Sequence, residues 1–180
     1  MSSNKGTRID AVVGLIDAFS EFTGRVVAWL TLAMMALTCL IVLLRYGFSI
    51  GSIALQESIG YLHAMVFLLG AAFTLQRDGH VRVDIFYRRF NREQQAWVNA
   101  LGSLLFLLPV SLFILIYSWD FVVSAWRIKE GSPNADGIPA VYLLKSLIPL
   151  AAITLSLQGI AEVLRGLLTL TQPQLEGEGA

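Results

Sequence analysis

Charge is scarce in this chain. Asp, Glu, Lys and Arg make up 14% of its 180 residues, where soluble domains carry about 25%. Thirteen basic residues are offset by thirteen acidic ones. No positive excess is left to neutralise phosphates, which excludes a basic nucleic-acid binder. A single cysteine, Cys39, excludes an intrachain disulfide framework and a Cys-rich zinc site. There are two histidines, His63 and His80. On one helix they would stand about 26 Å apart, too far to share a metal. His63 is the one histidine inside an apolar run, so a bis-histidine haem within one chain is disfavoured. The sequence has no phosphate-binding G-x-x-x-x-G-K-[ST] loop and no H-E-x-x-H element. It shows no nucleophile with an adjacent base, and the reading is of a protein that is not an enzyme.

What is present is apolar. Hydrophobic residues reach 56%, more than one small soluble core can hide, and far from the composition of a disordered chain. Four stretches are long enough to cross a bilayer core of about 30 Å. They run over 26–44, 58–76, 97–119 and 138–161. The first lies between Arg25 and Arg45 without a charge inside it. Its apolar length exceeds the 7–15 residues or so of a cleaved signal segment, so it is read as a retained helix. The third carries Trp97 and Trp119 at its ends, where indole rings favour the headgroup level. The fold class expected is an all-α membrane protein of four transmembrane helices with amphipathic interfacial helices.

Orientation follows from the basic residues. Lys5, Arg8, Arg25, Arg77, Arg82, Arg88, Arg89, Arg92 and Arg165 fall on one side. Arg45, Arg127, Lys129 and Lys145 fall on the other. The positive-inside rule then places both termini and the middle loop in the cytoplasm.

Residues 9–22 read as an amphipathic helix in a cytoplasmic tail, 1–25. Asp10, Asp17 and Glu21 share one side, and Ile9, Val12, Leu15, Ile16, Phe19 and Phe22 the other. Interfacial seating and packing on a partner protein are both open for it. A second interfacial helix is expected over about 81–96, on the stripe Val83, Phe86, Phe90 and Trp97 with flanking arginines. A solvated basic linker is the alternative there. Pro109 and Pro149 lie inside spans and should kink them. The tail 171–180 is polar and expected to be disordered.

Ionisable groups near the hydrocarbon are few. Glu57 stands at the mouth of span two and Lys145 just inside span four. Both lie toward the outer face, either as a pair or as two independent headgroup-level charges. Transport pathways show buried ionisable groups or broken, Gly-rich helices. Neither stands out, so no substrate site is expected in this chain alone.

Four stretches carry a family resemblance. Gln56-Glu57 leads into Ser58-Ile59-Gly60-Tyr61-Leu62-His63 and the small run Gly70-Ala71-Ala72. Gly79-His80-Val81-Arg82-Val83-Asp84 follows. Tyr142-Leu143-Leu144-Lys145-Ser146-Leu147-Ile148-Pro149 opens span four, and Leu157-Gln158-Gly159 precedes Glu162 and Arg165 near its end. Together, over residues 20–170, they resemble the small DctQ-type membrane subunit of tripartite ATP-independent periplasmic (TRAP) transporters.

The resemblance implies a bacterial inner-membrane subunit. It implies a large multi-span partner that holds the sodium and substrate sites, and a periplasmic binding protein that delivers substrate. Import, usually of organic acids, would be driven by a sodium gradient. The small subunit would be a scaffold that binds no cofactor. Glu57, His80, Arg82, Asp84 and Lys145 are candidate assembly or structural residues, with capping of the interfacial helix the local alternative for His80, Arg82 and Asp84. Two other classes compete. A membrane anchor of a redox or quinone-linked complex would show a haem band, and a self-sufficient small exporter would show flux with this chain alone.

Overall fold

Apolar runs without internal breakers fold as long helices, because in lipid every backbone group must find its partner inside the chain. The computed structural model describes residues 3–80 and 87–171, with side chains from Arg8 onward. Among the described residues there are helices and no strands. The helices are α1, Ser3–Gly47, and α2, Ile53–Gln76, followed by α3, Arg92–Ile128, and α4, Val141–Thr171. All four are long and apolar enough to cross a membrane.

Several boundaries differ from the sequence expectation. The amphipathic stretch 9–22 is not a separate element. No proline interrupts it, and it continues into span one as a single helix of 45 residues, about 67 Å long. Helix α2 begins five residues before the expected start, because the Ser52 hydroxyl accepts the Leu55 N–H at 3.3 Å and caps it. Of the expected interfacial helix, 81–86 lie outside the described residues, and so do Val83 and Phe86 of its stripe. Phe90 is in a turn. Asn91 then caps α3 reciprocally with Gln94, and Arg92 already belongs to the long third helix. Residues 138–140 are loop, and α4 runs ten residues beyond 161 to Thr171.

The two helix prolines are accommodated in different ways. Ahead of Pro109, α3 opens into one π-helical turn, Ser103–Leu107, after which the Leu108 N–H returns to the Ser103 carbonyl. Such a wide turn is a recognised way to absorb a local break in the α-helical ladder. Pro149 is buried inside α4, which stays helical on both sides of it.

Helix α4 is the centre. It packs against α1, α2 and α3, while α1 and α2 also pack on each other and α3 rests almost wholly on α4. The buried surface of α4 is narrow, made of Ala151, Ala152, Thr154, Gln158, Gly159, Ala161 and Gly166 among others. Large apolar side chains point outward instead. Trp29, Phe67, Phe106 and Tyr117 are each 72% exposed. Small residues inside and large ones outside is the distribution expected when lipid is the solvent.

The α3–α4 seam shows how tight this packing is. A Cβ on Gly166 would stand 2.8 Å from the Ala100 Cβ and 3.1 Å from the Ala96 carbonyl oxygen. One on Gly159 would meet Leu107 at 3.0 Å, beside the π turn. Gly166→Val should therefore push α3 off α4 and lower stability by roughly 1–3 kcal/mol. Thermal unfolding of the detergent-solubilised protein measures this, and an unchanged midpoint would contradict the close approach.

Candidate functional site

The polar side chains gather in two clusters, one toward each end of the helix group. The first lies where α1, α2 and α4 meet. Along α1 the buried positions Val13, Ser20 and Val27 repeat every seven residues, and Asp17 and Gly24 share their side. Asp17 and Glu21 of the acidic face are thus turned inward while Asp10 is exposed, and of the apolar face Val12, Leu15, Phe19 and Phe22 are exposed while Ile9 and Ile16 are half-buried.

Asp17 is the hub of this cluster. Its carboxylate accepts from Arg165 at 3.0 and 2.9 Å and from the Gln158 amide at 3.3 Å. Its carbonyl accepts from the Gln76 amide at 3.1 Å. Gln158 is fully buried, and its amide oxygen takes the hydroxyl of buried Ser20 at 2.9 Å. Arg165 also binds Glu162 one turn back. Nearby, Glu21 holds Arg77 at the end of α2, with the Nε contact at 3.2 Å, and Arg25 at 3.5 Å. These bonds tie the start of α1 to the ends of α2 and α4.

The second cluster organises the connection from α3 to α4. Glu57 accepts from the Ser132 hydroxyl, from the Asn134 amide at 2.9 Å and from the Ile138 N–H at 2.7 Å. Gly137 sits against it so closely that an added Cβ would stand 2.7 Å from the Glu57 carboxylate. Helix α3 stops at Lys129, which adopts a left-handed conformation with φ 50. The turn brings Glu130 back onto Lys145, with Nζ–O distances of 2.7 and 2.6 Å. The Lys145 ammonium also lies 3.9 Å from the centre of the Phe121 ring. Trp126 donates to the Ser146 hydroxyl at 2.8 Å, and Lys129 covers the Trp126 and Tyr142 rings.

Glu57 and Lys145 therefore do not form a pair with each other. Each is engaged by the α3–α4 connection, Glu57 by 132–138 and Lys145 by Glu130. His80 lies beyond the end of α2 and lines a groove of about 340 Å³ with Asn99, Ser103 and Glu162. Arg82 and Asp84 lie outside the described residues. Asp17, Ser20 and Gln158 were missed as a set because they come from opposite ends of the chain. The one signal for them in the sequence was a run of acidic residues on a helix otherwise suited to lipid.

Chemically these clusters are clamps. Their carboxylates are held by cations or hydrogen-bond donors of the same chain. Among the described residues no group of three His, Cys, Asp or Glu side chains is placed to hold a metal. Two outcomes test the clamps. Gln158→Leu strands the buried Ser20 hydroxyl and should destabilise the protein by about 1–3 kcal/mol, with part of the loss recovered when Ser20→Ala is added. Thermal unfolding of both variants checks it. Glu57→Ala should speed amide hydrogen exchange at Ile138 roughly tenfold while α4 stays protected. Exchange unchanged at Ile138 would mean that Glu57 does not hold the loop.

None of the curated proteins compared matches this chain, nor does any solved structure. A family model does match, that of the DctQ component of tripartite ATP-independent periplasmic transporters, over residues 34–169. The matched stretch runs from within α1 to the last turn of α4 and takes in the second cluster, with Glu57 and Lys145. Members of this family are inner-membrane components of transporters and not enzymes, in keeping with four helices long and apolar enough to cross a membrane. The chain belongs to the DctQ family, the small membrane component of TRAP transporters.

Proposed function

We propose that this chain is the scaffold subunit of a sodium-gradient-driven importer of organic acids or similar small solutes. In this reading it braces a large multi-span subunit, which carries the sodium and substrate sites, and a periplasmic binding protein delivers the solute. The observation that supports the scaffold role is the commitment of the charged groups. Asp17, Glu21, Glu57, Lys145 and Arg165 are all engaged by partners within this chain. Glu57 and Lys145 border the groove between α2 and α4, but each is already held there by this chain, Glu57 by Ser132 and the Ile138 N–H and Lys145 by Glu130. The basic-residue distribution supports an orientation with both termini and the 77–92 connection in the cytoplasm. That side would carry the Asp17 clamp, and the Glu57 clamp would face the periplasm.

The test is recovery of the tagged chain from native membranes in mild detergent. A stoichiometric large multi-span subunit is expected, together with sodium-dependent uptake when both subunits and the binding protein are reconstituted. Flux from this chain alone in liposomes would overturn the scaffold role. Arg82→Ala and Asp84→Ala should lower recovery of the large subunit without changing solute affinity of the binding protein. Undiminished recovery with both substitutions would remove that stretch from assembly.

A further inference from the structure

The exposed faces of the helices differ in chemistry. Those of α1 and α3 suit lipid. They present Trp29, Leu32, Met35, Leu43, Phe106, Phe113 and Ile116. The hydroxyls of Thr31 and Thr38 on α1 return to carbonyls of their own helix at 3.2 and 2.8 Å. Tyr117 on α3 is two residues from Trp119, in the interfacial aromatic belt expected at a span end.

Helix α2 is different. Its exposed positions form one stripe, Ile53, Gln56, Gly60, His63 and Phe67. His63 lies about 9 Å below Glu57 and about 21 Å from Arg77 along the helix, within the apolar stretch. Its ring stacks on Phe67, with centroids 6.4 Å apart, and finds no hydrogen bond among the described residues. An imidazole carries a donor and an acceptor. In hydrocarbon both go unanswered, and ionisable side chains at such depths face protein or water instead of lipid.

Two further features lie beside the imidazole. A Cβ built on Gly60 meets nothing within 4 Å, so the backbone there is open to close approach. Next to it, a groove of about 520 Å³ runs between α2 and α4, lined by Gly60, Tyr61, Ala64 and Ile148 and closed at one end by Glu57 and Lys145. The Tyr61 hydroxyl is buried and has no hydrogen-bond partner. Gly60 and Ala64, four residues apart, have the small-residue spacing that lets two membrane helices come close.

We propose that the Gln56–Gly60–His63–Phe67 face of α2 is the surface on which a transmembrane helix of the large subunit docks. That helix carries a hydrogen-bonding side chain at the depth of His63. The assignment rests on the small-subunit reading above. It makes α2 the joint between subunits and leaves the faces of α1 and α3 to lipid. Lipid chains alone would pack on this face but would leave the imidazole unanswered. A second copy of α2 would pair imidazole with imidazole, and it is the alternative occupant that the crosslink below separates.

The intact complex tests this by photo-crosslinking in native membranes. A benzoyl-phenylalanine probe replaces Phe67, and in a control chain replaces Phe113 on α3. The expected result is an adduct between the Phe67 probe and the large subunit, identified by its peptides, with none from the Phe113 probe. An adduct to a second copy of this chain overturns the face assignment. So does the absence of any protein adduct while the large subunit still co-purifies, and both leave the scaffold reading standing. If no large subunit co-purifies at all, the scaffold reading falls and this assignment with it. His63→Leu should lower recovery of the large subunit roughly threefold to tenfold, and His63→Gln should restore much of it. The thermal midpoint of the isolated subunit should stay unchanged for both. Equal recovery with His63→Leu would remove the imidazole from the interface.

Discussion

In a bilayer, apolar side chains gain little by leaving lipid for protein, so helices associate only where close van der Waals contact or hydrogen bonds reward it. Helix α4 answers that constraint. Its alanines and glycines let three neighbours approach, and the Ala96 carbonyl of α3 would stand only 3.1 Å from a Cβ on Gly166. Everything else in the arrangement depends on this narrowness. With leucines in place of these residues, α3 would have nothing else to rest on, since it packs almost wholly on α4.

Close contact along smooth helices does not by itself fix their axial register. The two polar clusters do so from the ends. At one end Asp17 receives Arg165 and Gln158 from α4 and, through its carbonyl, Gln76 from α2. At the other, Glu57 on α2 takes donors from the connection into α4, and Glu130 takes Lys145. A helix sliding by one residue would have to break bonds at both ends. Both clusters are closed by donors and acceptors of this chain.

Much of the fold was legible because membrane helices announce themselves by length and lack of charge. The four spans follow from apolar runs alone. Their limits were less legible, since the residues that set them act locally. Ser52 extends α2 with one side-chain bond, and Asn91 with Gln94 starts α3 at Arg92, so that 92–96 of the expected interfacial segment belong to the long third helix. The polar partners were the least legible. Lys145 finds Glu130 because Lys129 turns left-handed between helices, and composition carries no record of that. Asp17 and Arg165 are 148 residues apart. The outward stripe Leu15, Phe19 and Phe22 was visible as amphipathicity, but its meaning is reversed from that in a soluble helix: Asp17 and Glu21, opposite it, are the residues that pack.

The placement of α4 also bears on the order in which the chain is made. A membrane protein is threaded into the bilayer from its N-terminus as it is synthesised. Helices α1 and α2 can meet as a hairpin at once, since they pack on each other. Helix α3 then enters with no surface of its own to join. The helix that unites all three is the last of the four to leave the ribosome. Until it arrives, Asp17 and Ser20 await their partners, and the small faces of Ala96 and Ala100 are open to lipid. The molecule is thus assembled backward from its final helix, and the nascent chain passes through a stage in which three helices share the membrane without yet sharing a core.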